Sequence, residues 1–146
     1  MIDGRRAVLV VDDDPDILEI ITVLLGLYEV PAMTACDGIE ALAAMRGSAE
    51  LGLVLLDLMM PRMSGVDVLA EMKRDPVLVT MPVIVISGNY HTEPAVLAMG
   101  ADEYLLKPVD VDSLMRLVSR FVPVAGLAAG LAAGLAPAPD DRGRRR

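Results

Sequence analysis

A chain of 146 residues suits one domain with a real core, and its lone cysteine, Cys36, cannot form an intrachain disulfide. The formal charge of −8 is unevenly placed: residues 1–122 carry 19 acids against 9 Lys or Arg, whereas residues 123–146 carry 2 acids against 4 Arg. An acidic folded part with no Trp, one Phe and no basic stripe repels phosphate backbones, so direct nucleic-acid binding by the domain is not expected.

The lack of a cysteine framework fits a reducing compartment, and Met1-Ile2-Asp3-Gly4-Arg5-Arg6 lacks the apolar stretch of a secretory signal, so the expected location is cytoplasmic. Residues 7–11 form a continuous apolar run of strand length that ends in Asp12-Asp13. Asp14-Pro15 then supplies an N-cap with Pro at the first helical position, and Ile17, Leu18, Ile21, Leu24 and Leu25 form an apolar face. Residues 30–35 read as a strand that Pro31 confines to an edge. Asp37-Gly38-Ile39-Glu40 starts a second helix with a cap and an acid three residues on, and Gly47 ends it.

The run 53–56 ends in Asp57, ahead of a loop carrying Pro61, and a helix over 65–74 follows, stopped by Asp75-Pro76. The run 83–86 ends in Ser87, a short helix covers 94–99, a strand over 103–107 ends in Lys107-Pro108, and residues 111–121 form the last helix. The runs at 7–11, 53–56 and 83–86 are continuous rather than alternating, as expected of parallel strands covered on both faces. Five repeats of strand then helix, with right-handed crossovers, predict an α/β, doubly wound, three-layer (βα)5 domain over residues 1–122.

Residues 123–146 change to Ala, Gly, Leu and Pro and end in an Arg cluster. Gly126, Gly130 and Gly134 recur every four residues, as do Leu127, Leu131 and Leu135, a spacing that suits close helix pairing in a membrane. Pro123 and Pro137 interrupt the uncharged run, so the ~20 helical residues of a full span are not available. The expectation is a flexible or partly helical tail, and membrane contact is not expected of it.

The strand ends bring Asp12, Asp13, Asp57, Ser87 and Lys107 to one edge of the sheet, where open parallel sheets hold ligands. Three converging acids repel one another, and a hard divalent cation relieves this; Mg²⁺ takes one or two carboxylates, a carbonyl, waters and a phosphate oxygen. The lysine and the serine hydroxyl suit the remaining oxygens of a phosphoryl group. An aspartate facing a metal and a lysine is positioned for in-line attack on phosphorus, giving an acyl phosphate.

Four segments in order, VLVVDDDPDIL, LVLLDLMMPRMSG, PVIVISG and GADEYLLKPVD, resemble the receiver domain of two-component response regulators, the CheY-like fold, over about residues 6–122. The resemblance implies a five-stranded sheet of order 2-1-3-4-5. It implies Asp57 as phosphoacceptor, Asp12 and Asp13 as the acidic pair holding Mg²⁺, and Met59 as the residue lending a backbone carbonyl to the metal. Ser87 becomes the hydroxyl that follows the phosphoryl group, Lys107 its charge partner and Tyr104 an aromatic switch, while Asp14 only caps the first helix. It also implies a cis Lys107-Pro108 bond, an isomer that costs only ~0.5–1 kcal/mol at X-Pro.

The implied partners are a sensor histidine kinase or phosphotransfer protein and a downstream protein reached through the face of the fourth helix, fifth strand and fifth helix. Catalysis would be limited to the domain's own phosphorylation and dephosphorylation. No effector module is expected from 24 low-complexity residues, so output comes by protein contact or the chain is a fragment. Val109 departs from the family's usual aromatic, and the helix near Pro94 is short, which leaves partner choice open. His91 is an exposed loop residue on this reading, and the phosphodonor histidine belongs to another protein.

Two alternatives stand beside this one. A haloacid-dehalogenase type of phosphotransferase also places a nucleophilic Asp after a strand, but resembles Asp-x-Asp, whereas this chain has Asp57-Leu58-Met59. A phosphate-independent interaction module of the same fold is the other, against which the full set of acids, Ser87 and Lys107 argues.

Overall fold

The computed structural model describes residues 6–125. Five strands and five helices alternate: β1 (Ala7–Val11), α1 (Pro15–Leu27), β2 (Ala32–Ala35), α2 (Gly38–Gly47), β3 (Leu51–Asp57), α3 (Gly65–Arg74), β4 (Val83–Ser87), α4 (Glu93–Ala98), β5 (Glu103–Leu106) and α5 (Val111–Val118). The strands form one parallel sheet in the order β2-β1-β3-β4-β5. The expectations for residues 1–5 and for Gly126, Leu127, Gly130, Leu131, Gly134 and Leu135 lie outside the described residues. Among the described residues, no helix is long and apolar enough to cross a membrane.

The continuous apolar runs are divided between two cores by the period of two along a strand. Leu9, Val11, Val54, Leu56, Val83 and Val85 face one side, where α2, α3 and α4 supply Leu42, Leu69, Met72 and Val96. Val8, Val10, Leu53, Leu55, Ile84 and Ile86 face the other, where α1 and α5 supply Ile21, Leu25, Leu114, Met115 and Val118. Residues of β1, β3 and β4 are buried throughout, whereas β5 is half-exposed and ends on an exposed Leu106.

Helix starts follow the capping residues. Asp14 accepts from the Asp16 N–H with Pro15 at N1, Asp37 from Glu40, Ser64 from Asp67 and Asp110 from Ser113. At α2 the Glu40 carboxylate reaches one residue further back than a capping box does, accepting from the Cys36 N–H at 3.0 Å.

The strand near Pro31 is shorter than expected. It begins at Ala32 on the edge of the sheet, and Pro31 contributes only its carbonyl, to Val8 N at 2.9 Å. The fourth helix starts one residue early, after a 3₁₀ turn over Tyr90–Thr92, and the fifth ends at Val118 rather than at 121, its last turn loosening into shorter-range bonds at Arg120 and Phe121.

Candidate functional site

Register brings the strand ends level. Val11 of β1 pairs with Leu56 of β3, Asp57 pairs with Ile86 of β4, and Ser87 pairs with Leu106 of β5. The residues just beyond these pairs, Asp12, Asp57, Ser87 and Lys107, therefore meet at the carboxyl edge beside the point where strand order reverses at β1 and β3.

Asp12, Asp57 and Ser87 are buried polar residues, and among the described residues only Asp37 shares that condition. Each of Asp12, Asp13 and Asp57 offers a carboxylate oxygen lying within 4.8 Å of the others. Lys107 Nζ stands 3.3 Å from Asp57 Oδ1 and 3.7 Å from Asp12 Oδ2. Its backbone N–H donates to the Ser87 carbonyl at 2.8 Å, and the Lys107-Pro108 peptide is cis.

The acids are held by their own loops. Asp12 Oδ1 accepts from the Asp14 N–H at 2.9 Å, and Asp57 Oδ1 makes a longer contact to the Met59 N–H at 3.4 Å. Gly65 closes the loop after β3: its N–H donates to the Leu58 carbonyl at 3.0 Å, and a Cβ there would stand 2.4 Å from the Asp57 carbonyl oxygen. Only glycine lets α3 start this close to the acid-bearing strand.

Burial pushes the carboxyls of Asp57 and Asp12 above the usual carboxylate range. At Asp57 the neighbouring Asp12 charge adds to that, and Lys107 and the backbone donor at Met59 only partly offset it. At Asp12 the Asp14 N–H and Lys107 work the other way without prevailing. Burial would lower the Lys107 ammonium, but the two facing carboxylates outweigh it and the net direction is up. One lysine does not neutralise three acids. An all-oxygen cluster with surplus negative charge in a partly desolvated position is the donor set a hard divalent cation takes.

On the other half of the site, Ser87 Oγ accepts from the Asn89 N–H at 3.1 Å. A Cβ at Gly88 would meet nothing within 4 Å, so the space over Ser87 is open on that side. Tyr104 is half-buried against the core under α4, and its hydroxyl is tied to the Asn89 carbonyl and, at 2.8 Å, to Thr92 Oγ1. Thr92 in turn donates to the same Asn89 carbonyl at 2.8 Å. The sequence reading did not foresee this knot of Asn89, Thr92 and Tyr104, since the bonds run through a main-chain carbonyl that no motif encodes. Nor did it foresee the ion pair joining Arg62, whose φ is +65°, to the buried carboxylate of Asp37.

Residues 8–119 match the family model of the response regulator receiver domain. The chain belongs to that family. It is 36% identical over 116 residues to the DNA-binding response regulator MtrA of Mycolicibacterium smegmatis, a match covering 78% of this chain and 49% of that one. The chain thus spans about half the length of the curated relatives it matches. Among solved structures it resembles a response regulator receiver protein from Pseudomonas putida, with TM-score 0.75, 31% identity and coverage of 82% of this chain and 99% of that one. It also resembles response regulator TrrA from Thermotoga maritima in complex with Mg²⁺-BeF, with TM-score 0.70, 31% identity and coverage of 79% and 97%.

These relatives correct the expectation about partners. The charge argument against nucleic acid concerned an acidic stretch of 122 residues, but MtrA is named a DNA-binding protein and is about twice as long as the part matched. Repulsion between one acidic domain and phosphate backbones says nothing about a protein that carries another surface. The fold reading and the receiver reading stand, and nothing favours the dehalogenase-like or phosphate-independent alternatives.

Proposed function

We propose that this receiver takes a phosphoryl group onto Asp57 from the phosphohistidine of a histidine kinase or phosphotransfer protein. What carries the reading is the position of the Asp57 carboxylate: buried, at a strand end, 3.3 Å from the Lys107 ammonium and clustered with Asp12 and Asp13. A carboxylate oxygen attacks phosphorus in line as the bond to the donor imidazole breaks, and an acyl phosphate results. Catalysis by the chain is confined to forming and losing that group.

Asp12, Asp13, Asp57 and the Met59 carbonyl are assigned to hold Mg²⁺, a cation that when bound offsets charge on the phosphoryl oxygens. Lys107 pairs with the phosphoryl group as a point charge, and Ser87 follows its oxygens through the hydroxyl. Tyr104 is the aromatic switch: when Ser87 and the Asn89 loop move toward the phosphoryl group, the hydroxyl knot must rearrange with them. A phosphoryl group that contacts Ser87 in only one arrangement stabilises that arrangement by the difference.

The receiver unit is set at residues 1–122, with 123–146 a separate segment, and the compartment at the cytoplasm on the strength of the cysteine content. The DNA-binding name of MtrA makes control of DNA the output proposed for the system in which this receiver works, through a longer chain or a partner that carries the DNA-binding element. Incubation with Mg²⁺ and a small acyl-phosphate donor, followed by intact mass, tests the central claim. One base-labile phosphoryl group is expected, and none in Asp57→Asn. Unchanged labelling in that variant would move the acceptor elsewhere.

A further inference from the structure

Helix α1 carries more apolar surface than the domain covers. Between Ile17 and Leu27 its only side chains that are not apolar are those of Glu19 and Thr22, yet Ile20, Val23 and Leu27 are 61%, 59% and 51% exposed. These three lie at i, i+3 and i+7, one stripe along the outer face. Beside the stripe, an apolar cleft of about 520 Å³ runs between α1 and the start of α5, lined by Ile17, Ile20, Leu24, Val109, Val111 and Leu114, with Asp12, Asp57 and Lys107 at one end. A helix apolar on nearly all sides is normally covered on all sides.

The chain itself leaves the domain at the opposite end of this surface. After α5 it crosses to the C-terminal end of α1, where Val124 packs on the core and Ala125 N–H donates to the Tyr28 carbonyl at 2.8 Å. Residues 126–136 read Gly-Leu-Ala-Ala-Gly-Leu-Ala-Ala-Gly-Leu-Ala. We infer that this segment folds back along α1, antiparallel to it, with Leu127, Leu131 and Leu135 over Leu27, Val23 and Ile20.

The lengths agree. As helix, Leu127 to Leu135 covers about 12 Å, and Ile20 to Leu27 on α1 covers about 10 Å. Gly126, Gly130 and Gly134, with the alanines between, keep the backbones close, as small residues do where helices pair tightly. Pro137 and Pro139 end the apolar segment. Arg142, Arg144, Arg145 and Arg146 follow within reach of the exposed Asp13, Asp14 and Asp16 at the start of α1, since seven residues of extended chain span up to about 23 Å.

Charge is complementary as well, a basic end meeting an acidic mouth. Because the strap is tethered at Ala125, its local concentration is in the millimolar range and a shallow contact suffices. Docked, it covers the exposed stripe of Ile20, Val23 and Leu27. It does not depend on the phosphorylation chemistry.

A nitroxide at Gly143→Cys in a Cys36→Ser background tests the strap in the full chain by amide NMR. Strong broadening of residues 12–20, several-fold beyond that of α3 on the far side of the sheet, is the expected result. Leu131→Asp, which alters no residue of the folded unit, should abolish the difference and shift the amides of Ile20, Val23 and Leu27. Equal broadening on both faces, or no response to Leu131→Asp, would overturn the inference. Loss of the broadening on dilution or on mixing with unlabelled chain would assign the stripe to a second copy instead. Broadening absent in solution, with Leu131-dependent sedimentation on phosphatidylglycerol vesicles, would assign the segment to a membrane surface; either result overturns the strap.

Discussion

The two halves of the site stand on different ground. Asp12, Asp13 and Asp57 grow from β1 and β3, central strands buried along their whole length, and Gly65 locks the loop behind them against the Asp57 backbone. Ser87 ends a buried strand too, but its companions Tyr104 and Lys107 lie on and just after β5, a half-exposed edge strand next to a six-residue helix and a 3₁₀ turn. Local stability follows buried contacts, so the acid half is fixed and the other half is free to respond. That division suits the proposed function, in which a preorganised acceptor is coupled to a readout with two arrangements.

The comparison is broken most severely at Gly65. An added Cβ would meet backbone at 2.4 Å from Asp57 O and 2.7 Å from Leu58 Cα, neither of which can swing aside. Gly65→Ala is expected to cost about 1–3 kcal/mol of stability and to displace Asp57, so labelling falls together with the denaturation midpoint. If the variant melted and labelled like the parent, the acid half would be less rigid than its packing implies.

Next in size is Asp13→Ala, which removes one of three clustered acids without touching the core, since Asp13 is exposed. Mg²⁺ affinity by titration should weaken roughly tenfold or more, because affinity for such cations tracks the number of charged ligands. The melting temperature in chelator should hold or rise as like-charge repulsion is relieved.

Tyr104→Phe acts on the responsive half alone. Losing the hydroxyl that holds Asn89 and Thr92 should cost about 1 kcal/mol and speed amide exchange at residues 89–92. Metal affinity and labelling should remain at the parent's level. A fall in metal affinity would show that the halves are coupled more tightly than their separate strands suggest.

The smallest effect is with pH in the absence of metal. Asp12 and Asp57 have carboxyls raised above the ordinary value of 3.8, so in the interval from that value up to their folded values the native state binds more protons than the unfolded chain. Stability from this source is therefore full at low pH and is lost as pH rises through the folded values. Chelated protein should melt higher as pH is lowered from 7 through that interval, and Asp57→Asn should flatten the rise. Asp75 and Asp110 work in the opposite sense, but their depressed values place their loss below 3.8.

Much of this was legible in the sequence. The continuous runs of β1, β3 and β4, the Asp14-Pro15 start of α1 and the acids at strand ends each obey a local rule, and the sheet satisfies all of them together. The convergence of Asp12, Asp13, Asp57 and Lys107 was readable because charge at the end of a buried strand has few structural explanations. What resisted reading depended on neighbours rather than on local chemistry. Pro31 sat just outside β2 because, having no N–H to donate, it joins β1 through its carbonyl alone. The apolar pattern of α1 marked Ile21 and Leu25 correctly, but could not say that α5, only eight residues long, would leave Ile20 and Val23 uncovered. The Tyr104 knot depended on the path of the main chain at Asn89, which only the folded loop defines.

The lysine and the Asp57 carboxylate it faces are 50 residues apart in the chain, joined only when the fifth strand takes its place at the sheet's edge. Contacts of such separation close late in folding, because the entropy of the intervening loop is lost before they form. A chain still emerging from the ribosome, with Asp57 made but Lys107 not, has the carboxylate without its cationic partner. The ammonium that faces Asp57 and Asp12 is thus among the last parts of the domain to arrive, and until β5 docks the two acids face each other without it.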